Sequence, residues 1–323
     1  MNFAPDPRRP LRTLSALPGF AATALRTLAR PDGPDVLIKD ERSRLGLPAF
    51  KALGGVHAVA MLLEDLRRQD PNATPTFVCA SAGNHGLAVA TGARLLGANA
   101  RVHLPRGTPA AFAQRLEAAG AQVVIGAGLY DETVLDAQAD ATATGAILLS
   151  DAATSDHLVP PALVMEGYTL IAEELRAVFE VSGRWPTHVY LQAGVGGLAA
   201  TIAHMIRQTW RFQPALVIVE PEAAPCLAAS ARAGRPVRVE GPVSVMGRLD
   251  CKAPSILAHT VLARCDVNYA TVSDEAAHTA AEHLAFAGLA TTPSGAAGFA
   301  ACLAADLPPD ARSLVFLTEG PLP

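Results

Sequence analysis

One lysine has the surroundings that imine chemistry requires. Lys51 falls in the first turn of a predicted helix, after a loop that contains Gly46 and Pro48. At this position the amine meets the positive end of the helix dipole, which should lower the pKa of Lys51. A lysine with a lowered pKa forms imines readily. A solvated surface lysine is the ordinary alternative, but the neighbours Phe50 and Ala52 to Gly55 are apolar or small, which argues against it.

The scarcity of lysine narrows the choice further. The 26 basic residues include three lysines, Lys39, Lys51 and Lys252. Lys39 ends a predicted strand and is interpreted as a strand-edge charge, and Lys252 lies in an irregular segment. Lys51 is therefore the best imine candidate of the three.

A glycine-rich turn has the composition of a phosphate cradle. Gly194, Val195, Gly196 and Gly197 separate a predicted strand from a predicted helix. Glycines let the backbone approach an anion closely, and the next helix offers free N–H groups and its positive dipole end. The turn matches neither the P-loop nor the dinucleotide fingerprint. Tight packing of strand against helix is the alternative explanation.

A polar turn, Cys79 to Gly86, precedes another helix. Ser81 and Asn84 can donate hydrogen bonds or cap the helix, and Gly83 and Gly86 expose backbone N–H groups. Such a turn can bind a carboxylate. Ordinary capping by Ser81 or Asn84 is equally consistent with this pattern.

Short apolar strands alternate with longer helical segments around these turns. The Val-, Ile- and Leu-rich runs do not alternate polar with apolar residues, which is typical of strands buried on both faces of a parallel sheet. Predicted strands are Val36–Lys39, Thr76–Cys79, Ala100–Leu104, Gln122–Ile125, Ile147–Ser150, His188–Leu191, Leu216–Glu220, Val267–Val272 and Leu314–Thr318. Predicted helices include a segment after Pro48, Leu87–Leu96, Ala110–Ala119, Thr133–Thr144, Ala162–Phe179, Leu198–Trp210 and Gly295–Ala305.

This alternation predicts two α/β domains with mostly parallel sheets and a cleft between them. Residues 71–160 would form the smaller domain, and residues 1–70 with 161–323 the larger, cofactor-binding domain. Residues 234–255, rich in Gly, Pro and Arg, are predicted to form an irregular excursion near the cleft.

Composition excludes several classes of function. The chain has 323 residues and a net charge of −4, so it has no basic field for nucleic acid. Its longest apolar stretch, residues 189–206, is broken by Gln192, a glycine turn and His204, so no membrane span is expected. The histidines are scattered, and no metal site is predicted. Five sparse cysteines fit a reducing compartment, so we expect a cytoplasmic protein whose partner is a small molecule.

Taken together, the motifs resemble those of the fold-type II pyridoxal phosphate enzymes, the family of threonine dehydratases and tryptophan synthase β chains. Within it, the resemblance is nearest to the diaminopropionate ammonia-lyases and extends over most of the chain. It rests on the three segments above and on Ile38–Leu47, Val164–Leu170, Val219–Glu222, Val245–Cys251, Pro293–Gly298 and Thr318–Gly320.

The resemblance implies pyridoxal 5′-phosphate as cofactor, held in the interdomain cleft, and a role for each matching residue. Lys51 would hold the cofactor as an imine and then take the substrate α-proton, and Asp151 would serve as a base toward one enantiomer. The other residues would contact the cofactor ring (Phe50), its 3′-oxygen (Asn84), its phosphate (Gly194, Val195, Gly196, Gly197), its ring nitrogen (Ser294) and the substrate carboxylate (Ser81, Ala82, Gly83, His85). Ala82 departs from the ammonia-lyase pattern, which has an aspartate there that is associated with D-substrates.

The implied activity is that of a carbon–nitrogen lyase in amino-acid degradation. It would eliminate the β-substituent of an amino acid similar to 2,3-diaminopropionate and release a 2-oxo acid and ammonia. A threonine or serine dehydratase, a hydroxy-amino-acid dehydratase, a racemase or a β-replacement synthase on the same fold are alternatives, and a catalytically silent cofactor-binding protein is an alternative of another class. The family resemblance also implies a homodimer.

Overall fold

The computed structural model describes residues 3–30 and 33–321. Within them, ten strands form one six-stranded and one four-stranded sheet. The strands are β1 Leu25–Leu28, β2 Val36–Asp40, β3 Thr76–Ala80, β4 Asn99–Leu104, β5 Ala121–Ile125, β6 Ile147–Leu148, β7 His188–Gln192, β8 Ala215–Pro221, β9 Asn268–Val272 and β10 Ser313–Leu317.

Parallel pairing dominates both sheets. The larger sheet has the order β1-β2-β10-β7-β8-β9 and is parallel except for the antiparallel pair β1 and β2. The smaller sheet, β5-β4-β3-β6, is parallel throughout. All five residues of β10 are buried, because this strand lies inside the larger sheet with helices on its faces. The prediction of an α/β protein with mostly parallel sheets is confirmed.

Twelve helices connect and cover the strands of the described residues. They are α1 Arg8–Ser15, α2 Lys51–Arg67, α3 Asn84–Leu96, α4 Ala110–Ala118, α5 Tyr130–Thr144, α6 Val159–Gly167, α7 Thr169–Ser182, α8 Gly197–Thr209, α9 Cys226–Ala233, α10 Ile256–Leu262, α11 Asp274–Phe286 and α12 Pro293–Ala304. Among residues 3–30 and 33–321, none of the helices combines the length with the apolar character that a membrane-spanning helix needs.

All nine predicted strands are present, with small differences at their ends, whereas β1 was not predicted. The middle residues of β1 are exposed, so its sequence lacks the apolar run of the other strands. The helix predicted over Ala162–Phe179 is two helices, α6 and α7, separated at Tyr168. The last residue of α6, Gly167, lies very close to α2, because a Cβ atom on it would be 2.5 Å from the Leu53 carbonyl oxygen.

The interpretation of Lys39 as a strand-edge charge is wrong. Its side chain is 2% exposed, and its amine donates hydrogen bonds to Glu174 Oε2 (2.6 Å) and to the Thr23 carbonyl (2.8 Å). Lys39 lies on β2, which β1 and β10 flank on both sides. Only the tertiary structure brings Glu174 of α7 to this strand, because 135 residues separate the two.

The two sheets take their strands from different parts of the chain. All four strands of the smaller sheet lie between residues 76 and 148, and the larger sheet takes its strands from both sides of that segment. Residues 234–255 contain no regular helix or strand, as predicted. This segment passes close to residues of both sheets, through contacts described below.

Candidate active site

The candidate residues lie beyond the carboxyl ends of parallel strands from both sheets. Ser81 follows β3 and Asp151 follows β6 in the smaller sheet, whereas Gly194 follows β7 and Glu319 follows β10 in the larger one. Ligands of open parallel sheets bind at these ends. Residues from four distant parts of the chain are thereby brought to one cleft.

Lys51 begins helix α2, as predicted, with Phe50 as the preceding cap residue. The loop before the helix is fixed to the end of β10, because the Phe50 amide donates to the Thr318 carbonyl (3.2 Å) and the Gly320 amide donates to the Pro48 carbonyl (2.9 Å). The two backbone contacts place the Lys51 side chain at the carboxyl edge of the larger sheet.

The Lys51 amine donates a hydrogen bond to Asp151 Oδ2. The two side chains are 24% and 22% exposed, so water has partial access to the pair. Burial lowers the pKa of Lys51, but the charge of Asp151 outweighs this effect and the net pKa is raised. The predicted lowering of the Lys51 pKa is therefore wrong for this arrangement: a carboxylate in direct contact outweighs the helix dipole.

Asp151 shows the reciprocal effect. Burial raises the pKa of Asp151, but the charge of Lys51 and the hydrogen bond from its amine outweigh it, so the pKa lies well below its usual range. The pair is thus an ammonium and a carboxylate joined by a hydrogen bond. The proton belongs to the lysine, and the carboxylate oxygen accepts the hydrogen bond.

The polar turn before α3 contributes the next group of residues. Gly83 is the residue before the helix, no side chain caps it, and the Ser81 hydroxyl instead accepts a hydrogen bond from the Gly83 amide (3.3 Å). Capping by Ser81 or Asn84, the alternative open at the sequence level, is not observed. The first amides of α3 are consequently available to an anion, which is the arrangement expected for a carboxylate site.

His85 lies in the first turn of α3 and is buried. Its Nε2 is 2.9 Å from the Leu149 carbonyl oxygen, so Nε2 carries the hydrogen and Nδ1 is an acceptor. The Nδ1 atom is buried and has no partner among the described residues. Burial lowers the pKa of His85, so the ring is neutral and Nδ1 can accept a hydrogen bond from a bound ligand.

The glycine turn between β7 and α8 is closely surrounded. A Cβ atom on Gly194 would lie 2.9 Å from Cys251 Sγ, and one on Gly196 would lie 3.0 Å from Leu227. Gly196 also has φ +97°, a conformation that side-chain-bearing residues rarely adopt. Together with Val195 and Gly197 it leads directly into α8, whose first amides point toward the cleft end of the helix.

Asn84 in α3 and Ser294 in α12 are two further polar residues of the site. The side-chain Nδ2 of Asn84 donates a hydrogen bond to Glu319 Oε2 (2.5 Å), so α3, which follows β3 of the smaller sheet, contacts the segment after β10. Ser294 is buried in α12, and its hydroxyl oxygen accepts a hydrogen bond from the Arg248 amide (3.1 Å). Because that oxygen is already an acceptor, the Ser294 hydroxyl hydrogen is free to be donated.

Phe50 and Tyr168 form the wall next to Lys51. Their rings meet edge to face with centroids 4.9 Å apart, and the Lys51 amine lies 5.6 Å from the Phe50 centroid. The Tyr168 hydroxyl is buried and has no partner among the described residues. A buried hydroxyl without a partner is costly, so this hydroxyl has a hydrogen bond to offer to a bound ligand.

These groups fit pyridoxal phosphate part by part. Lys51 supplies the amine for the aldehyde, the Gly194–Gly197 turn fits the phosphate, and Ser294 presents a hydroxyl donor suited to an unprotonated ring nitrogen. The partnerless Tyr168 hydroxyl and His85 Nδ1 supply unused polar atoms in the same cleft. The residues present are therefore compatible with the cofactor.

The sequence profile described as pyridoxal-phosphate dependent enzyme matches residues 17–319. The chain belongs to this family. Diaminopropionate ammonia-lyase of Salmonella typhimurium is 35% identical over 271 residues, which cover 76% of this chain and 67% of that protein. The Escherichia coli K12 enzyme of the same name is 33% identical over 256 residues, which cover 75% of this chain and 64% of that protein. The matched regions thus span about two thirds of the length of these curated relatives.

A solved structure extends the family likeness to the whole chain. Diaminopropionate ammonia-lyase from Escherichia coli, in complex with an aminoacrylate-PLP azomethine reaction intermediate, superposes with a TM-score of 0.86. The superposition covers 99% of this chain and 91% of that chain at 28% identity. The two-domain architecture of fold-type II pyridoxal phosphate enzymes is therefore shared.

Three residues of the site were not singled out by the sequence analysis: Tyr168, Arg248 and Glu319. Each lies in a segment that contributed to the family resemblance. The residues that each side chain contacts in the site, however, are far away in sequence. Glu319 shows why, since its partner Asn84 is 235 residues away. The only available signal was the presence of polar residues inside otherwise apolar or glycine-rich segments.

Proposed function

We propose that this protein is a pyridoxal phosphate-dependent ammonia-lyase. It catalyses α,β-elimination on a β-substituted amino acid similar to 2,3-diaminopropionate and yields a 2-oxo acid and ammonia. The observation that carries this proposal is the contact of Lys51 with Asp151 beside the glycine turn. The similarity to two diaminopropionate ammonia-lyases supports it.

The chain's own residues divide the work between binding and proton handling. The bound cofactor supplies an electron sink for the electrons that the α-carbon releases. Asn84 and Ser294 would hold its ring, and Gly194 to Gly197 would hold its phosphate. The substrate carboxylate would be oriented at the N-terminus of α3 by the Ser81 hydroxyl and by the backbone amides of Ala82, Gly83 and His85.

Lys51 and Asp151 move the proton. The Lys51 amine accepts the α-proton once it is free, and Asp151 stabilises the ammonium that results, because its carboxylate is ionised in this contact. Asp151 also has a second carboxylate oxygen, so the pair offers proton acceptors on both residues. Ala82 removes the carboxylate that the ammonia-lyase pattern has in the turn, so we assign the proton transfer to this pair alone.

Reductive trapping tests the assignment of Lys51. Borohydride treatment of the holoenzyme should attach the cofactor to one peptide, the one that carries Lys51. Lys51→Ala should remove both the visible absorbance of the bound cofactor and 2-oxo acid formation. Lys252→Arg is the control, because Lys252 Nζ contacts the carbonyls of Ala223 and Pro242 rather than the cleft. A Lys51→Ala protein that still turns over substrate would refute the assignment.

The molecular setting is part of the proposal. We infer two domains, residues 71–160 and residues 1–70 with 161–323, a homodimer, and a cytoplasmic location. Sheet membership supports the division, and the five cysteines, all free thiols, support a reducing compartment. Sedimentation of the purified holoenzyme at twice the monomer mass of 33.4 kDa would support the dimer.

A further inference from the structure

Arg248 is the one residue of the irregular segment 234–255 whose guanidinium reaches the carboxylate turn. A Cβ atom on Gly83 would lie 2.9 Å from Arg248 Nη1 and 3.2 Å from its Cζ, so the guanidinium lies directly over Gly83. Its Cζ is 5.8 Å from the centroid of the Phe112 ring, which packs on it from α4. Gly83 and Phe112, both from the region of the smaller sheet, therefore flank this side chain.

The backbone of Arg248 is anchored in the cofactor site itself. Its amide donates to the Ser294 hydroxyl at 3.1 Å. Its carbonyl oxygen lies 3.0 Å from the place where a Cβ atom of Gly194 would stand. Arg248 is thus positioned by the same residues that fit the ring nitrogen and the phosphate, and its side chain extends from there toward the substrate.

The guanidinium is not saturated by the protein. Among residues 3–30 and 33–321 its side chain donates no hydrogen bond within bonding distance, and its carboxylate partner, Glu319 Oε2, is 3.6 Å from Nε. Glu319 is itself engaged, because it accepts hydrogen bonds from Asn84 (2.5 Å) and from the Thr292 hydroxyl (2.5 Å). The planar guanidinium, with five donors, retains capacity for a carboxylate.

A second cation increases the local positive charge. The pKa of Arg115, on α4, is lowered by burial and further by the charge of Arg248, so the two guanidinium groups repel each other. One carboxylate, Glu319, faces the two arginines. An anion between the turn and Arg248 would balance this charge.

We propose that Arg248 is a specificity-determining residue and that the substrate carries a second carboxylate on its β-carbon. The α-carboxylate binds the turn at Ser81 to His85, and the β-carboxylate binds the Arg248 guanidinium. This inference rests on the proposed elimination and narrows its substrate to β-amino- or β-hydroxy-substituted dicarboxylic amino acids. As in the proposed elimination, the α-proton and the leaving group on the β-carbon are lost. One water is then used in the hydrolysis that gives the 2-oxo acid and ammonia.

The same two bonds break in both substrate types, but the net balance differs. With a β-amino group, 2,3-diaminosuccinate and one water give oxaloacetate and two ammonia molecules. With a β-hydroxyl group, 3-hydroxyaspartate gives oxaloacetate and one ammonia, because the water lost in the elimination is returned in hydrolysis. In each case the Cα–H bond and the bond from Cβ to the leaving group break, and the α-proton passes to Lys51 or Asp151.

The test compares substrates that differ in the β-carboxylate alone. We expect the wild-type holoenzyme to have a higher kcat/KM for 3-hydroxyaspartate than for serine, and for 2,3-diaminosuccinate than for 2,3-diaminopropionate. Arg248→Ala should reduce this preference about 10- to 100-fold, the loss expected when a hydrogen-bonded charge pair is removed. Arg248→Lys should restore part of it. Arg238→Ala, in the same segment and paired with Asp131 at the surface, should leave the preference unchanged.

A binding measurement separates this inference from the proposed function. Succinate should bind the holoenzyme about 10-fold or more tighter than butyrate, and Arg248→Ala should abolish the difference. If the enzyme prefers the substrates without a β-carboxylate, or if Arg248→Ala lowers all activities equally and leaves both affinities unchanged, the role of Arg248 is refuted while the elimination stands. If no β-substituted amino acid is turned over, the elimination is refuted, and succinate binding alone decides the role of Arg248.

Discussion

At the scale of single residues, the site depends on one partly exposed ion pair, Lys51 with Asp151. Lys51 begins the helix after β2 of the larger sheet, whereas Asp151 follows β6 of the smaller sheet. The charge of Asp151 reverses the effect of burial on the pKa of Lys51, and the charge of Lys51 reverses the effect of burial on the pKa of Asp151. Burial disfavours each charge separately, but the two charges in contact stabilise each other more than burial costs. The pair therefore keeps a proton on the lysine side at neutral pH and leaves the carboxylate as the empty acceptor.

Asp151→Asn should separate proton handling from cofactor binding. The variant keeps the size of the side chain but removes the negative charge that stabilises the Lys51 ammonium. We expect kcat to fall about 100-fold or more, the range for loss of an acid–base group, while the absorbance of the bound cofactor is retained. Asp156→Asn is the control, because Asp156 is exposed and bonds Thr154. Equal kcat values for Asp151→Asn and wild type would contradict the assigned role.

At the scale of elements, a buried carboxylate joins a strand to a helix. Glu220 lies near the end of β8 and is fully buried. Its two oxygens accept hydrogen bonds from the amides of Leu227 (2.7 Å) and Ala228 (2.8 Å) in the first turn of α9. Leu227 in turn lies against Gly196, so this contact supports the glycine turn from behind. A carboxylate at a helix N-terminus satisfies amides that would otherwise lack partners.

Glu220 should make the stability depend on pH. Burial raises the pKa of Glu220 from 4.5 to about 7, although the two amide hydrogen bonds oppose this. The folded protein therefore binds more protons than the unfolded chain between these two values. Glu220's contribution to the free energy of unfolding is full below the lower value and is lost as pH rises through the upper one.

Urea unfolding of wild type and Glu220→Gln at several pH values measures this contribution. The free energy of unfolding of the wild type should fall relative to that of the variant as the pH rises from about 4.5 to about 7 and then stay level. The quantity to compare is the difference between the free energies of unfolding of the two proteins, because the contribution of the histidines is present in both and cancels. Parallel curves over this range would show that Glu220 does not titrate there.

At the scale of the whole molecule, a buried charge network fixes the N-terminal region to the larger sheet. Glu174 of α7 accepts hydrogen bonds from Lys39 on β2 and from Arg44 in the loop that leads to Lys51. Arg44 is also paired with Glu41 at 2.6 Å, and both side chains are fully buried. The network stabilises the loop that places Lys51, so it links the packing of α7 to the site.

Removal of one member should destabilise the whole chain. Glu174→Ala leaves Lys39 and Arg44 short of negative charge in the interior, and we expect the free energy of unfolding to fall by about 3 kcal/mol. Glu173→Ala is the matched neighbour: its partner Arg176 is 36% exposed, and we expect a loss below about 1 kcal/mol. Urea unfolding of the three proteins measures both. Similar losses for the two variants would mean that the network does not stabilise the fold.

Features that depend on local sequence were determined by the sequence itself. Apolar runs predicted nine strands, because burial on both faces requires such residues wherever they lie. The glycine turn and the position of Lys51 at a helix start also follow from local backbone chemistry, and they are part of the family resemblance that implied the cofactor. β1 was missed for the same reason, since its exposed residues leave no apolar signal.

Features that depend on distant partners were decided only by the tertiary structure. The pKa of Lys51 is raised rather than lowered because Asp151, 100 residues away, lies against its amine. Lys39 is buried because α7 brings Glu174 to it, and Arg248 reaches Gly83 because an irregular segment without helix or strand crosses the cleft. The electrostatic energy of a group depends on the charges within a few ångströms, and chain folding alone determines which charges those are.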